Sequence, residues 1–221
     1  MNKIKTGNLF DISKTIARPL LEKFEYPWES LKYIGDYISE LGVTLNHDKY
    51  YSPSEGVWIA NDVKIPSTAT VLAPTIIETG TEIRPGAYIR GKVIIGKNCV
   101  IGNSCEIKNS IIFDNVQIPH FNYIGDSILG YRAHTGAGAI TSNIKSDRSL
   151  ICVHDGERKI ETGLKKFGAM IGDGVEIGCN SVLNPGTVIG KNTTIYPLSS
   201  VRGVVPADSI YKASDNIVTK K

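Results

Sequence analysis

The sequence predicts an all-β fold, a parallel β-helix. Three observations predict it. Apolar anchors recur at every sixth position without a miss: Ile59, Ile65, Val71, Ile77, Ile83, Ile89, Ile95, Ile101 and Ile107. Four residues after these stands a small or β-branched residue: Val63, Ala69, Thr75, Thr81, Ala87, Val93, Cys99, Cys105 and Ile111. Glycine often follows the anchor, as in Ile95-Gly96 and Ile101-Gly102. A period of six is neither the 3.6 of a helix nor the 2 of a strand. It fits a flat-faced coil in which each hexad is one short strand and one corner. The anchor points inward, and Gly or Asn near the corner permits the backbone angles needed there. Three hexads make a coil of about 18 residues, and stacked coils bury one another's apolar faces. A β-sandwich, whose turns recur about every 8–12 residues, would not hold one phase for so long.

Taken in order, residues 1–58 lack the repeat and are expected to form an N-terminal helical cap. A short helix is expected over Leu20 to Lys23, behind Pro19. A firmer helix starts with Pro27 in its first turn and ends before Gly42. Its apolar residues Trp28, Leu31, Ile34, Ile38 and Leu41 share one face. The open end of a β-helix needs covering, so this segment is expected to pack over or beside the first coils. The β-helix is expected over 59–206. Its phase slips by one at Ile112, continues through Ile118 and Ile124, and slips again at Leu129. Hexads stop between Ile144 and Phe167, an insertion in which Asp155-Gly156 joins two strand-like runs as a hairpin. Such an excursion is usually a functional loop or a packing arm. Hexads return as Ile171, Ile177, Leu183, Ile189, Ile195 and Val201. Residues 207–221 are expected to begin ordered against the coil and then fray.

Composition excludes several classes. Hydrophobic content of 41% and charged content of 21% are those of a soluble globular chain, and the net charge of +3 is too small to argue for nucleic acid. Lys220-Lys221 reads as a solvated tail. No apolar core follows Met1-Asn2-Lys3-Ile4-Lys5, so no signal peptide is expected, and no run of about 18 apolar residues suggests a membrane span. Cys99 and Cys105 share a hexad phase, at different corners. They read as small core fillers in a reducing cytoplasm.

Three segments carry a resemblance: Ile83-Arg84-Pro85-Gly86-Ala87, Gly102-Asn103-Ser104-Cys105-Glu106-Ile107-Lys108 and His120-Phe121-Asn122-Tyr123-Ile124-Gly125-Asp126. With Gly136 to Asn143, Lys166-Phe167 and Ile171-Gly172-Asp173, they resemble the C-terminal acetyltransferase domain of the bacterial bifunctional enzyme of UDP-N-acetylglucosamine synthesis, a glucosamine-1-phosphate N-acetyltransferase. The likeness covers roughly residues 59–206. More distantly, the whole chain is similar to proteins described as UDP-N-acetylglucosamine pyrophosphorylase-related, although no Gly-rich nucleotidyltransferase N-terminus is present. The resemblance implies a left-handed parallel β-helix, a homotrimer with sites between subunits, acetyl-CoA as cofactor, an amino-sugar phosphate as acceptor and a cytoplasmic setting. Handedness comes from the resemblance alone, since the general rule for parallel crossovers favours the right hand.

Acetyl transfer to an amine needs a base, donors for a developing oxyanion and charges for the sugar phosphate. The resemblance implies His120 as the base, and an imidazole titrates near neutral pH. It implies Arg84, Lys108 and Lys166 on phosphate and sugar, which suits guanidinium and ammonium groups. Tyr123 matches a sugar-contacting Tyr, and Asn143 an Asn beside the reacting amine. Ala137, Cys179 and Pro197 match the cofactor-binding edge. Three departures stand out: Cys179 replaces a family Ser, Pro197 an Ala, and His134 a sugar-binding Asn. Each residue also has a bland reading as a surface cation, a packed corner aromatic or a corner Asn. One competing reading is a non-catalytic module for binding sugar nucleotides or for assembly. Another is a γ-class carbonic-anhydrase-like zinc enzyme using His120, His134 and His154.

Overall fold

A computed structural model describes residues 3–220. Met1, Asn2 and Lys221, on which part of the leader and tail expectations rest, lie outside the described residues.

The hexads form a parallel β-helix of triangular cross-section. Strands stack on three faces. The first face orders Tyr50–Ser54, Val57–Ala60, Thr75–Ile77, Val93–Ile95, Ser110–Ile112, Ile128–Leu129, Ala169–Ile171, Thr187–Ile189 and Val204–Val205. The second runs from Glu82–Ile83 to Ser209–Ala213 and Asn216–Thr219, and the third from Thr70–Val71 to Ser200–Val201. Anchors stack on anchors: Ile59 on Ile77, Ile77 on Ile95, Ile83 on Ile101, Ile89 on Ile107. The phase slips have a structural origin. Ile95 stacks on Ile112 and Ile112 on Leu129, steps of 17 rather than 18, so two coils are one residue short. Both shortened corners join the third face to the first, at Asn109 (φ 46°) and Asp126 (φ 49°).

The first face is apolar on both sides. Besides its inward anchors it presents Ile76, Ile94, Ile111, Ile128, Met170 and Val188 outward, each with no exposed surface. A sheet face of that kind must be covered. The N-terminal segment covers it, lying beside the coils along the face. Pro27–Tyr33 is a 3-10 turn that leads into the α-helix Ile34–Gly42, where one continuous helix was expected. Trp28, Leu31, Ile34 and Ile38 are buried and Leu41 is partly buried. The short helix spans Arg18–Leu21, with Pro19 in its first turn. Phe10 packs on Phe113 (5.2 Å between centroids) and Trp28 on Phe167 (5.7 Å). Asp173 pins the segment: its Oδ2 accepts from Asp11 N (2.6 Å), and its amide donates to the Leu9 carbonyl (3.1 Å).

Both ends of the solenoid carry an antiparallel strand. Tyr50–Ser54 pairs with Val57–Ala60, and Pro53 on this outer strand withholds a donor from would-be partners. Asn216–Thr219 folds back on Ser209–Ala213. The expected fraying is therefore not seen among the described residues of the tail. Tyr211 is buried and its hydroxyl donates to the Ser200 carbonyl (3.1 Å), which anchors the final strand pair.

The insertion is a hairpin of Cys152–Asp155 against Arg158–Glu161. Its loop is Gly156-Glu157, one residue later than expected, because Asp155 still pairs with Arg158. Gly156 takes φ 62° at the first loop position, where a two-residue turn of this kind favours glycine. Ile151 and Val153 are buried, holding the hairpin against the corner between the third and first faces.

Candidate functional site

The expected site residues fall on two edges of the third face. The first edge is the corner between the second and third faces. Here the ladder Phe121 N to Asn103 O (2.9 Å), Gly138 N to His120 O (3.0 Å), Asn180 N to Ala137 O (2.8 Å) and Leu198 N to Cys179 O (2.9 Å) stacks the turns. One column therefore runs Asn103, His120, Ala137, Cys179 and on to Pro197. Successive rungs are about 4.8 Å apart. His120 is exposed, as are Cys179 and Pro197, and Ala137 is half-buried. Arg84 sits near the same corner two rungs before His120. Its Nε donates to Glu82 (2.9 Å), which holds the guanidinium above its ordinary value.

Local sequence fixes the turn that carries His120. Asn122 points inward and is buried, and its Oδ1 accepts from His120 N (3.2 Å). Its Nδ2 donates to the Gly136 and Ala139 carbonyls (2.8 and 3.2 Å). Phe121 takes φ 54° with 62% of its surface exposed, an uncommon conformation for a bulky residue. Gly102 is required beneath this turn, since a Cβ there would overlap the Pro119 carbonyl.

The second edge is the corner between the third and first faces. Lys108, Tyr123 and Asn143 meet there around Asp126. This carboxylate is 3% exposed. Its Oδ1 accepts from Asn109 Nδ2 (2.8 Å), and its Oδ2 accepts from Asn143 Nδ2 (2.5 Å) and Lys108 Nζ (3.3 Å). Asn143 Nδ2 also donates to the Tyr123 hydroxyl (3.1 Å). Gly125 leaves the room, since a Cβ there would stand 2.5 Å from the Tyr123 hydroxyl. Burial, then the nearby Asp126 and Glu106 charges, push the Tyr123 phenol up, so it keeps its proton at neutral pH. Lys166 is exposed at the rim, next to Phe167, whose amide donates to the Asn143 carbonyl (3.0 Å).

His134 joins neither edge. It lies on the second face, in register with Gln117 and Glu176, and its Nδ1 is 2.7 Å from Glu176 Oε2. A ring nitrogen facing a carboxylate carries the proton, so that donor is already spent. His154 stands on the hairpin, so the three imidazoles occupy three separate places in the chain. Among the described residues no group of three His, Cys, Asp or Glu is arranged to hold a metal ion.

Asp126 is the functional candidate that sequence reasoning passed over. An acidic residue after Ile124-Gly125 reads as an ordinary corner. The available signal was the shortened phase at Leu129, which folds that corner inward.

Parts of the chain are similar to known proteins. The family model described as the GMPPB C-terminal domain matches residues 71–162, and the one described as bacterial transferase hexapeptide (six repeats) matches residues 168–203. The hexad repeats described above recur in both matched segments. The stacked hexads are consistent with the left-handed β-helix expected from the sequence. Among curated relatives, the chain is 35% identical over 112 residues to the bifunctional protein GlmU of Methanococcus maripaludis, covering 50% of the chain and 27% of the relative. It is 35% identical over 102 residues to a bifunctional sugar-1-phosphate nucleotidylyltransferase/acetyltransferase of Sulfurisphaera tokodaii, covering 46% and 25%. The matched part thus spans about a quarter of the length of these relatives. A solved structure of a point mutant of AntD, an N-acyltransferase from Bacillus cereus, in complex with dTDP and coenzyme A, aligns with TM-score 0.45 at 17% identity over 80% of this chain and 92% of that one. No helix among the described residues is long and apolar enough to cross a membrane.

Proposed function

We propose that this protein is an acetyl-CoA-dependent N-acyltransferase acting on an amino-sugar phosphate or an amino-sugar nucleotide. One observation carries the reading. His120 stands on the same corner column as Ala137, Cys179 and Pro197, so the expected base and the expected cofactor edge share one line of the molecule. Along that column Ala137, Cys179 and Pro197 are small and at least partly open, and a thin pantetheine chain fits against them. Acetyl-CoA, when bound, supplies the acetyl thioester.

His120 would take the proton of the acceptor amine as the amine nitrogen bonds the acetyl carbon, and would return that proton to sulfur as the carbon–sulfur bond breaks, so that the cofactor leaves as its thiol. Lys108, held by Asp126, and Arg84 supply positive charge for the acceptor's phosphate. Asn143 and the Tyr123 hydroxyl, already in contact with each other, position the amino sugar. In one chain the His120 edge and the Lys108 edge lie on opposite margins of the third face. A homotrimer that sets one copy's His120 edge beside the next copy's Lys108 edge completes the site. Phe121 and Leu198, 62% and 79% exposed on the His120 edge, suit that contact.

The test is thiol release from acetyl-CoA with glucosamine-1-phosphate and related amino sugars. Acceptor-dependent release by the full chain supports the reading, and none with any acceptor overturns it. The non-catalytic alternative draws on His134, whose ring is tied to Glu176 where the resemblance implies a sugar contact. Lack of acetyl-CoA binding by the assembled protein would favour that alternative.

A further inference from the structure

A second cleft lies between the inserted hairpin and the last coils. Its volume is about 500 Å³. Lys145, His154 and Arg202 line it, with Ser200 on one wall and Val204 and Ile217 among the apolar residues. No Asp or Glu lines it.

Arg202 is exposed and makes no ion pair or side-chain hydrogen bond among the described residues, so its five N–H donors are unspent. Lys145 is half-buried. Its ammonium is steered by Ser149 Oγ (2.7 Å) and the Leu150 carbonyl (3.4 Å); the Asp147 carboxylate, which accepts from Ser149 Oγ (2.9 Å), lies nearby but outside the lining of the cleft. Ser200 Oγ accepts from Asn184 Nδ2 (3.0 Å), which leaves its own O–H free to donate. The wall opposite is fixed rather than loose. Ile151 and Val153 are buried, and the hairpin backbone at His154 closes against Gly203.

A concave site that gathers two basic side chains and a free hydroxyl donor, with apolar surface beside them, calls for an anion on a partly apolar body. We propose that this cleft binds a phosphate-bearing small molecule, with Arg202 gripping the phosphoryl oxygens in a bidentate way and Lys145 adding charge. The cleft lies beyond the acceptor region along the axis: Arg202 occupies the same outward column as Lys108 four rungs further on, roughly 19 Å away, and stands two rungs beyond Ser142, the neighbour of Asn143. It does not depend on the acyl-transfer reading.

The experiment is calorimetric titration of the full chain at low salt with pyrophosphate, then with inorganic phosphate and with UDP as arms that separate a bare oxyanion from a phosphate ester. Saturable binding is expected, weakened by about tenfold or more in Arg202→Met and in Lys145→Met, the size of one charge-assisted contact. The component of binding lost in Arg202→Met should persist in a chain that carries both Arg84→Met and Lys108→Met, because those two cations serve the acceptor's phosphate elsewhere on the coil. Arg202 makes no ion pair or side-chain hydrogen bond among the described residues, so its variant should keep the parent's unfolding profile. No saturable binding of any probe overturns the proposal, as does binding indifferent to Arg202→Met and Lys145→Met. Displacement of pyrophosphate by acetyl-CoA also overturns it, because the cleft would then be part of the cofactor site. Acyl transfer and pyrophosphate binding are read separately, so either can fail alone.

Discussion

Asp126→Ala is the perturbation with the clearest consequence. The carboxylate is 3% exposed and receives three side-chain donors, from Asn109, Asn143 and Lys108. Truncation strands the Asn109 amide, whose Oδ1 is already buried without a partner. Asn143 keeps the Tyr123 hydroxyl, and Lys108, a quarter exposed, turns to water. Hydrogen bonds to charged groups contribute about 1.5–3 kcal/mol each, and relief of the carboxylate's desolvation offsets part of the loss. The net cost is therefore about 3 kcal/mol, which for a chain of this size lowers Tm by roughly 6–12 °C. Asp126→Asn should cost less, about 1 kcal/mol. It keeps the shape, and a flipped Asn109 amide can offer its orphaned oxygen to the new side-chain NH2. Thermal unfolding followed by circular dichroism measures both, and the double variant with Lys108→Met should show a coupling of about 1 kcal/mol. A cost below about 0.5 kcal/mol for Asp126→Ala, within the range of an ordinary surface change, would refute the claim that this carboxylate organises the corner.

Four further outcomes are expected. His120→Ala should lower turnover by about 10²–10⁴-fold with acceptor affinity nearly unchanged, because the ring makes no side-chain hydrogen bond among the described residues; unaltered turnover removes it from the role of base. Trp28→Ala, which empties a site between Tyr26 and Phe167, should cost about 3–5 kcal/mol, read as a large fall in Tm; a small fall would show that the N-terminal segment is not what seals the first face. Glu78 is buried against the Tyr50 hydroxyl (2.6 Å), and burial raises its carboxyl above 4.5. A raised folded value means that the folded chain holds this proton more tightly, so the group's contribution is fullest below its unfolded value and is lost as pH rises through the folded one. Glu78→Gln should then exceed the parent in Tm at about pH 8 and lose that advantage near pH 4, and an advantage that persists at the lower pH would contradict the assignment. Thiol labelling of the native protein should reach Cys179 first, since it is exposed, while burial pushes Cys99 up to about 12 and leaves it inert; acetyl-CoA should slow the labelling of Cys179, and an unchanged rate would count against the cofactor edge.

The coils were legible because an anchor's inward position is a local property, repeated with every hexad. Even the slips at Ile112 and Leu129 were visible, as one-residue deletions at a corner. The outward beat of Ile76, Ile94, Ile111, Ile128, Met170 and Val188 was equally present in the sequence. It stands one residue before the anchors of every third hexad, so the anchors' own signal masks it. That beat decides where the N-terminal helices go, along a face rather than over an end. His134 with Glu176 was illegible for another reason. The partners are 42 residues apart, and the number of residues the hairpin inserts between their coils sets which side chain stacks on which.

The candidate site shows the same division. Residues on one turn, such as His120 and Asn122, declare their relation through spacing. Lys108, Asp126 and Asn143 come from three successive rungs, and only the shortened corners bring them together. A shortened corner leaves no room for a full turn of solvated side chains, so the polar groups there point at one another. The Asp126 carboxylate is what makes that crowding stable. The two slips in the hexad phase and the cluster of candidate acceptor groups therefore have a single cause. Restoring one residue at the corner after Asp126 should dissolve the cluster while leaving the anchors in phase.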